Sequence, residues 1–213
     1  MKKSLIEQIY FNSDNLIQTM GIKKFRIDQI KDWIFNKLTF NINDMSNLSK
    51  KDREDINSNY YITEMKIAEL LTEDSTGTIK GILETYDKYL IEMVLLNDDE
   101  RYTLCISSQI GCPVGCKFCA TGNIGYKRNL ELDEILFQFL YAEKLLEQKG
   151  KKISNIVFMG MGEPLLNYEN VVKSIEILRD EKGRNLSHRR ITISTVGIPD
   201  KLRKLSSDGV KVK

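Results

Sequence analysis

Residues 105–130 read CISSQIGCPVGCKFCATGNIGYKRNL and hold all four cysteines of a 213-residue chain. Three of them, Cys112, Cys116 and Cys119, follow the spacing C-x-x-x-C-x-x-C. With 4 cysteines in 213 residues, chance gives that spacing in about one such chain in a thousand, so it needs a chemical explanation. Three closely spaced thiolates can hold three irons of a four-iron, four-sulfur cluster, and no fourth cysteine follows at comparable spacing, so one iron is left open to an exogenous ligand. Gly111, Gly115 and Gly122 suit a loop that wraps a bulky inorganic group, because glycine tolerates unusual backbone angles and close approach. Pro113 stiffens the same loop. A structural zinc site is the competing reading. It would supply a second Cys or Cys/His pair further along, and the one histidine is His188, followed by two arginines.

Around this loop, strand and helix patterns alternate. Residues 101–106 predict a strand and 131–148 a helix with Leu132, Ile135, Leu136, Phe139 and Leu146 on one side; 153–159 predict a second strand and 167–180 a helix carrying Val171, Ile175 and Leu178. A third strand over 190–194 and a shorter helix over 200–205 follow, and SSDGVKVK reads as the start of a fourth strand. The pattern predicts an α/β fold: a parallel sheet with crossover helices, the first part of a (βα) barrel, over residues 99–213. Such barrels carry their chemistry on the loops after the strands. The cysteine loop, Gly160-Met161-Gly162-Glu163-Pro164 and Ser194-Thr195 all fall there. A glycine-rich turn alone is often only a turn.

Residues 1–62 read as a small helical domain. Asp14 is a candidate cap for a helix ending at Gly21, Ile27, Ile30, Ile34 and Leu38 recur at helical spacing, and Ser49 caps a third helix. Trp33 reads as a core residue of this bundle. Residues 63–98 form a β-rich connector of three strand patterns with breaks at Asp74-Ser75 and Asp87-Lys88. In the last of them Glu92 faces away from Ile91 and Met93, as a solvated strand position does. Composition is 41% hydrophobic and 29% charged, enough to bury a sizeable core. No apolar run is long enough to cross a membrane, and MKKSLIEQIYF lacks the apolar core and cleavage site of a signal peptide. Clustered cysteines without a secretion signal predict metal or redox chemistry in a cytoplasmic protein. A net charge of +2 does not announce a nucleic-acid partner; Lys23-Lys24-Phe25-Arg26, Lys127-Arg128 and His188-Arg189-Arg190 are the local groups that could meet phosphate.

The cysteine spacing, with Phe118 before the third cysteine, resembles the radical S-adenosylmethionine (SAM) enzymes. The longer string, TLCISSQIGCPVGC through KFCATG and KRNL to FMGMGEPLLNYENV and RRITISTVGI, resembles their RlmN/Cfr branch, a family of RNA adenine methyltransferases. The resemblance implies a radical SAM barrel, a 4Fe–4S cluster on Cys112, Cys116 and Cys119, and SAM on the open iron. Gly162 and Glu163 would bind the aminoacyl end of SAM, with Ser194 a further contact. It assigns Glu92, thirteen residues before Cys105, as proton acceptor, and Cys105 as the residue that resolves a covalent protein–RNA intermediate through a transient disulfide; a lone buried cysteine is otherwise an inert small hydrophobe. The implied reaction consumes two SAM molecules: one methylates a late cysteine, the other is cleaved reductively. Implied partners are 23S rRNA and tRNA, an electron donor such as flavodoxin or ferredoxin, no membrane, and a monomeric state. The helical domain would help hold the RNA.

Within the family, carbon 2 or carbon 8 of adenine can be methylated; Pro164 and LLNYENV favour carbon 2. Radical SAM chemistry on a non-RNA substrate leaves Cys105 and the helical domain unexplained. The family's Ser-Leu-His contact and methyl-carrying cysteine would lie beyond Lys213, so the chain is expected to be the N-terminal part of a longer protein, or else a non-catalytic remnant that binds metal or RNA.

Overall fold

The computed structural model describes residues 2–99 and 101–213. Strand β1 (Lys3–Ser4) leads into helices α1 (Leu5–Phe11), α2 (Ser13–Met20), α3 (Phe25–Phe35) and α4 (Lys50–Asn59), and β2 (Tyr60–Tyr61) returns to pair in parallel with β1. Ser4 caps α1 by accepting from Glu7 N at 3.0 Å, a helix that the sequence pattern did not single out. Helix α2 starts before Asp14 and ends at Gly21 in the left-handed conformation, where glycine avoids the Cβ clash. Ser49 caps α4 through Asp52 N. Trp33 is a partly buried member of this bundle's core, its indole N–H donating to Asn47.

The rest is one six-stranded sheet flanked by helices. Strands β3 (Lys66–Thr72), β4 (Ile79–Glu84), β5 (Leu90–Asp98) and β6 (Arg101–Cys105) are antiparallel neighbours. Beyond β6 the chain forms a short ladder of β7 (Gln109–Ile110) with β8 (Arg128–Asn129) around helix α5 (Ala120–Ile124). Helices α6 (Leu132–Glu147) and α7 (Tyr168–Arg179) then alternate with β9 (Ile153–Phe158) and β10 (Ile191–Ile193), and α8 (Pro199–Ser207) follows. The order across the sheet is β10-β9-β6-β5-β4-β3, with β6, β9 and β10 parallel. Lys213 continues this order: its N–H donates to Ile191 O and its carbonyl accepts from Ile193 N, both at 2.9 Å. The former β-rich connector is thus continuous with the parallel strands.

Alternation along the strands divides the sheet into two faces. Ile91, Met93, Leu95, Leu104, Ile156, Phe158 and Ile191 are buried and share a single core with α6, α7 and the helical domain. The opposite face, which carries Glu92, is open to solvent. Ion pairs fasten the helical domain to α7 and the turn after it: Lys31 to Asp180 at 2.9 Å, Lys182 to Asp28 at 2.9 Å, and Lys173 to Glu7 at 2.6 Å.

Candidate active site

The cysteine loop leaves the carboxyl end of β6 and is closed at its base by the β7–β8 ladder. Gly111 and Gly125 are where the two sides of the loop touch: a Cβ on Gly111 would lie 1.6 Å from the Gly125 carbonyl oxygen, and Gly111 has φ +73°. No side chain fits there. Cys112, Cys116 and Cys119 are partly exposed free thiols, as is Cys105, so no disulfide joins them. Backbone N–H groups of Gly122, then Thr121, hold the Cys119 thiol below its usual range, which favours the thiolate that a metal needs.

Four buried polar side chains, Ser107, Gln138, Gln109 and Asn167, lock this loop to its neighbours, and none was read as a site residue from the sequence. Ser107 Oγ donates to the Glu92 carbonyl at 2.6 Å and accepts from Met161 N at 2.9 Å, tying β5 to the Gly160–Pro164 turn. The peptide of Ser107 is itself bracketed by Gln138 of α6, which accepts from its N–H and donates to its carbonyl. Gln109 accepts from Glu163 N and donates to Asn129 Oδ1, each at 2.8 Å. Gly162 is required by that contact, because a Cβ there would sit 2.5 Å from Gln109 Cβ at φ +101°. Asn167 donates to the carbonyls of Ser108 and Leu130, at 2.8 Å each.

Glu163 is buried, and its carboxylate joins the second loop to the third. It accepts from Leu165 N at 3.0 Å, Thr195 Oγ1 at 2.7 Å and Val196 N at 2.9 Å. Thr195, rather than its exposed neighbour Ser194, makes the link. A carboxylate offers about four acceptor positions, and these donors occupy three.

Glu92 and Cys105 lie on the open face. Cys105 is directly opposite Val94 in the β5–β6 ladder, so Glu92, two residues away on β5, is its diagonal neighbour. Lys80 holds Glu92 Oε1 at 2.8 Å. Burial pushes the Cys105 thiol up, against a smaller opposing hydrogen bond from the Met159 backbone. Both residues are at the end of the sheet from which the cysteine loop rises.

The basic groups divide. Arg128 is committed to structure: its guanidinium makes paired bonds to Asp87 (2.8 and 2.8 Å) and Glu134 (2.7 and 2.9 Å). Lys127 beside it is exposed. His188, Arg189 and Arg190 precede β10 and so lie at the opposite end of the sheet from the cysteine loop. Arg26 bonds Gln29 and the Asn47 carbonyl within the helical domain.

The sequence model of the radical SAM superfamily matches residues 106–212. The chain belongs to the radical SAM superfamily. The model of the ribosomal RNA large subunit methyltransferase N-terminal domain matches residues 12–62. This radical SAM chain is 47% identical over 211 residues to a probable dual-specificity RNA methyltransferase RlmN of Thermotoga neapolitana, covering 99% of this chain and 61% of that protein. It is 43% identical over 213 residues to the protein of the same description from Fervidobacterium nodosum, covering 100% of this chain and 60% of the relative. The crystal structure of a radical SAM methyltransferase from Sphaerobacter thermophilus superposes with a TM-score of 0.92 at 35% identity, covering 99% of this chain and 62% of that one. The architecture is the radical SAM fold, and the chain spans about three-fifths of the length of these relatives.

Proposed function

We propose that this chain carries the cluster-binding and SAM-binding portion of an enzyme that methylates carbon 2 of an adenine in 23S rRNA and in tRNA. The observation that carries the reading is the placement of Glu92 and Cys105 as diagonal neighbours on the open sheet face, below the cysteine and Gly160–Pro164 loops. A carboxylate beside a thiol suits a reaction that removes a proton from carbon and then releases a covalent adduct. The names and extent of the relatives support the substrate class.

The donor set fits the cofactor. Cys112, Cys116 and Cys119 are free, partly exposed thiols on a single loop, and three closely spaced thiolates are the donor type that a 4Fe–4S cluster with one open iron takes. Cys112, Cys116 and Cys119 would hold the 4Fe–4S cluster, and Gly162, Glu163 and Ser194 would meet SAM, the fourth acceptor position of Glu163 being available to an ammonium group. Once bound, the cluster supplies the electron that cleaves SAM, delivered by a flavodoxin or ferredoxin. Glu92 accepts the proton from the adenine carbon, and Lys80 fixes its carboxylate for that task.

The test is nucleoside mass spectrometry of 23S rRNA fragments and tRNA after incubation with the whole gene product, loaded anaerobically with iron and sulfide, plus SAM and a low-potential reductant. 2-Methyladenosine is expected, and it should be lost in Glu92→Ala and Cys105→Ala. 8-Methyladenosine would transfer the reading to carbon 8, and absence of any methylated adenine in RNA that binds the protein would overturn it.

A further inference from the structure

One aromatic surface on the same rim plays no part in the reading above. Because β5 is antiparallel to β6, the turn between β4 and β5 lies at the end of the sheet from which the cysteine loop emerges. Its tip carries Tyr86, which is 70% exposed.

An exposed ring on a turn usually swings freely, but this one is held. The Arg128 guanidinium lies 4.8 Å from the ring centroid, and Arg128 is itself fixed by Asp87 and Glu134. Thr85 is buried; its hydroxyl donates to Asp87 at 2.6 Å and accepts from Tyr89 N at 3.1 Å, which makes the turn rigid. Such rigidity lowers the entropic cost of contact with a partner. Tyr89, Leu90 and Tyr126 are also exposed on this rim, as is Lys127, which forms no ion pair among the described residues.

A protein partner is disfavoured, since lysine is depleted from protein–protein interfaces. A fixed π-face, with an exposed lysine one residue from the arginine that backs it, offers the two groups that a nucleobase and its phosphate require. We propose that Tyr86, backed by Arg128, is a stacking platform for an unpaired base of the RNA substrate, with Lys127 meeting an adjacent phosphate. This rests on the RNA-methyltransferase reading and adds a surface to it.

Fluorescence anisotropy of the gene product with a labelled RNA stem-loop bearing an unpaired adenine loop tests both. Tyr86→Ala should weaken binding about tenfold with an unchanged melting temperature, Tyr86→Trp should retain affinity, and a blunt duplex without unpaired bases should not distinguish the variants. Lys127→Ala should reduce the salt slope of binding by about one. If Tyr86→Ala binds the stem-loop as tightly as the wild type, the platform is overturned while the RNA reading stands, and the rim is left to a protein partner. If the wild type binds no RNA, the RNA reading falls and the platform falls with it.

Discussion

Cys105 sits where burial and reactivity oppose each other. Its thiol is pushed up by desolvation, so at neutral pH it is a weaker nucleophile than an ordinary cysteine, because the thiolate is the reacting form. Iodoacetamide labelling of protein prepared without iron, followed by mass spectrometry, should show Cys105 modified more slowly at pH 7 than an unperturbed cysteine, with a rate still climbing at the pH where such a cysteine levels off; a plateau at or below that pH would contradict the desolvation of this thiol. Gln109 has a different role, since it has no chemistry of its own and joins two loops. Gln109→Leu leaves Glu163 N without its partner and Asn129 Oδ1 with the Tyr126 hydroxyl alone, and should cost about 2 kcal/mol in urea unfolding, while weakening SAM binding measured by equilibrium dialysis. An unchanged SAM affinity would show that the Glu163 loop holds its shape without Gln109. The cysteines were legible because three thiols at fixed spacing announce themselves in one stretch. Gln109, Ser107 and the linking role of Thr195 were not, because their partners are 15 to 54 residues distant in sequence.

Among the elements, α6 shows how a helix start is fixed from outside its own sequence. Glu131 and Glu134 form a reciprocal capping box, and Arg128 neutralises Glu134 while also binding Asp87 of the β4–β5 turn. Replacing Arg128 by Met leaves a buried Glu134 unpaired, which should lower stability by about 3 kcal/mol in urea unfolding; a loss below about 1 kcal/mol would mean that solvent reaches the site. The principal helices and strands of the sheet agree with their sequence periodicity to within one or two residues at most ends. The two-residue ladders β1–β2 and β7–β8 do not show in periodicity, because two residues cannot express an alternation, and α5 lies in a glycine-containing loop.

The whole molecule hangs together through contacts between distant segments, and Asp133 is a titratable one. It is buried, accepts from Ser4 of the helical domain and from Thr63, and has its pKa pushed up to about 6, chiefly by desolvation. A carboxyl raised above its unfolded value of about 3.9 stabilises the fold most below pH 4. That contribution fades between pH 4 and 6 and is absent above pH 6, so ionised Asp133 is a burden at neutral pH on the order of 2 kcal/mol. Thermal melting of wild type against Asp133→Asn should diverge across that window, with the variant showing the flatter pH profile; parallel profiles would show Asp133 ionising normally. The sequence by itself determined the alternation of strand and helix, the position of the glycine-rich and cysteine-bearing loops after the strands, and the spacing of Cys112, Cys116 and Cys119, because periodicity and spacing are local properties. Only the tertiary structure decided that the antiparallel strands join the parallel ones in one sheet, that Glu92 and Cys105 are neighbours, and that Arg128 serves the fold. Those are matters of strand register and of which opposite charges meet, and both are set by the packing of segments remote in the chain.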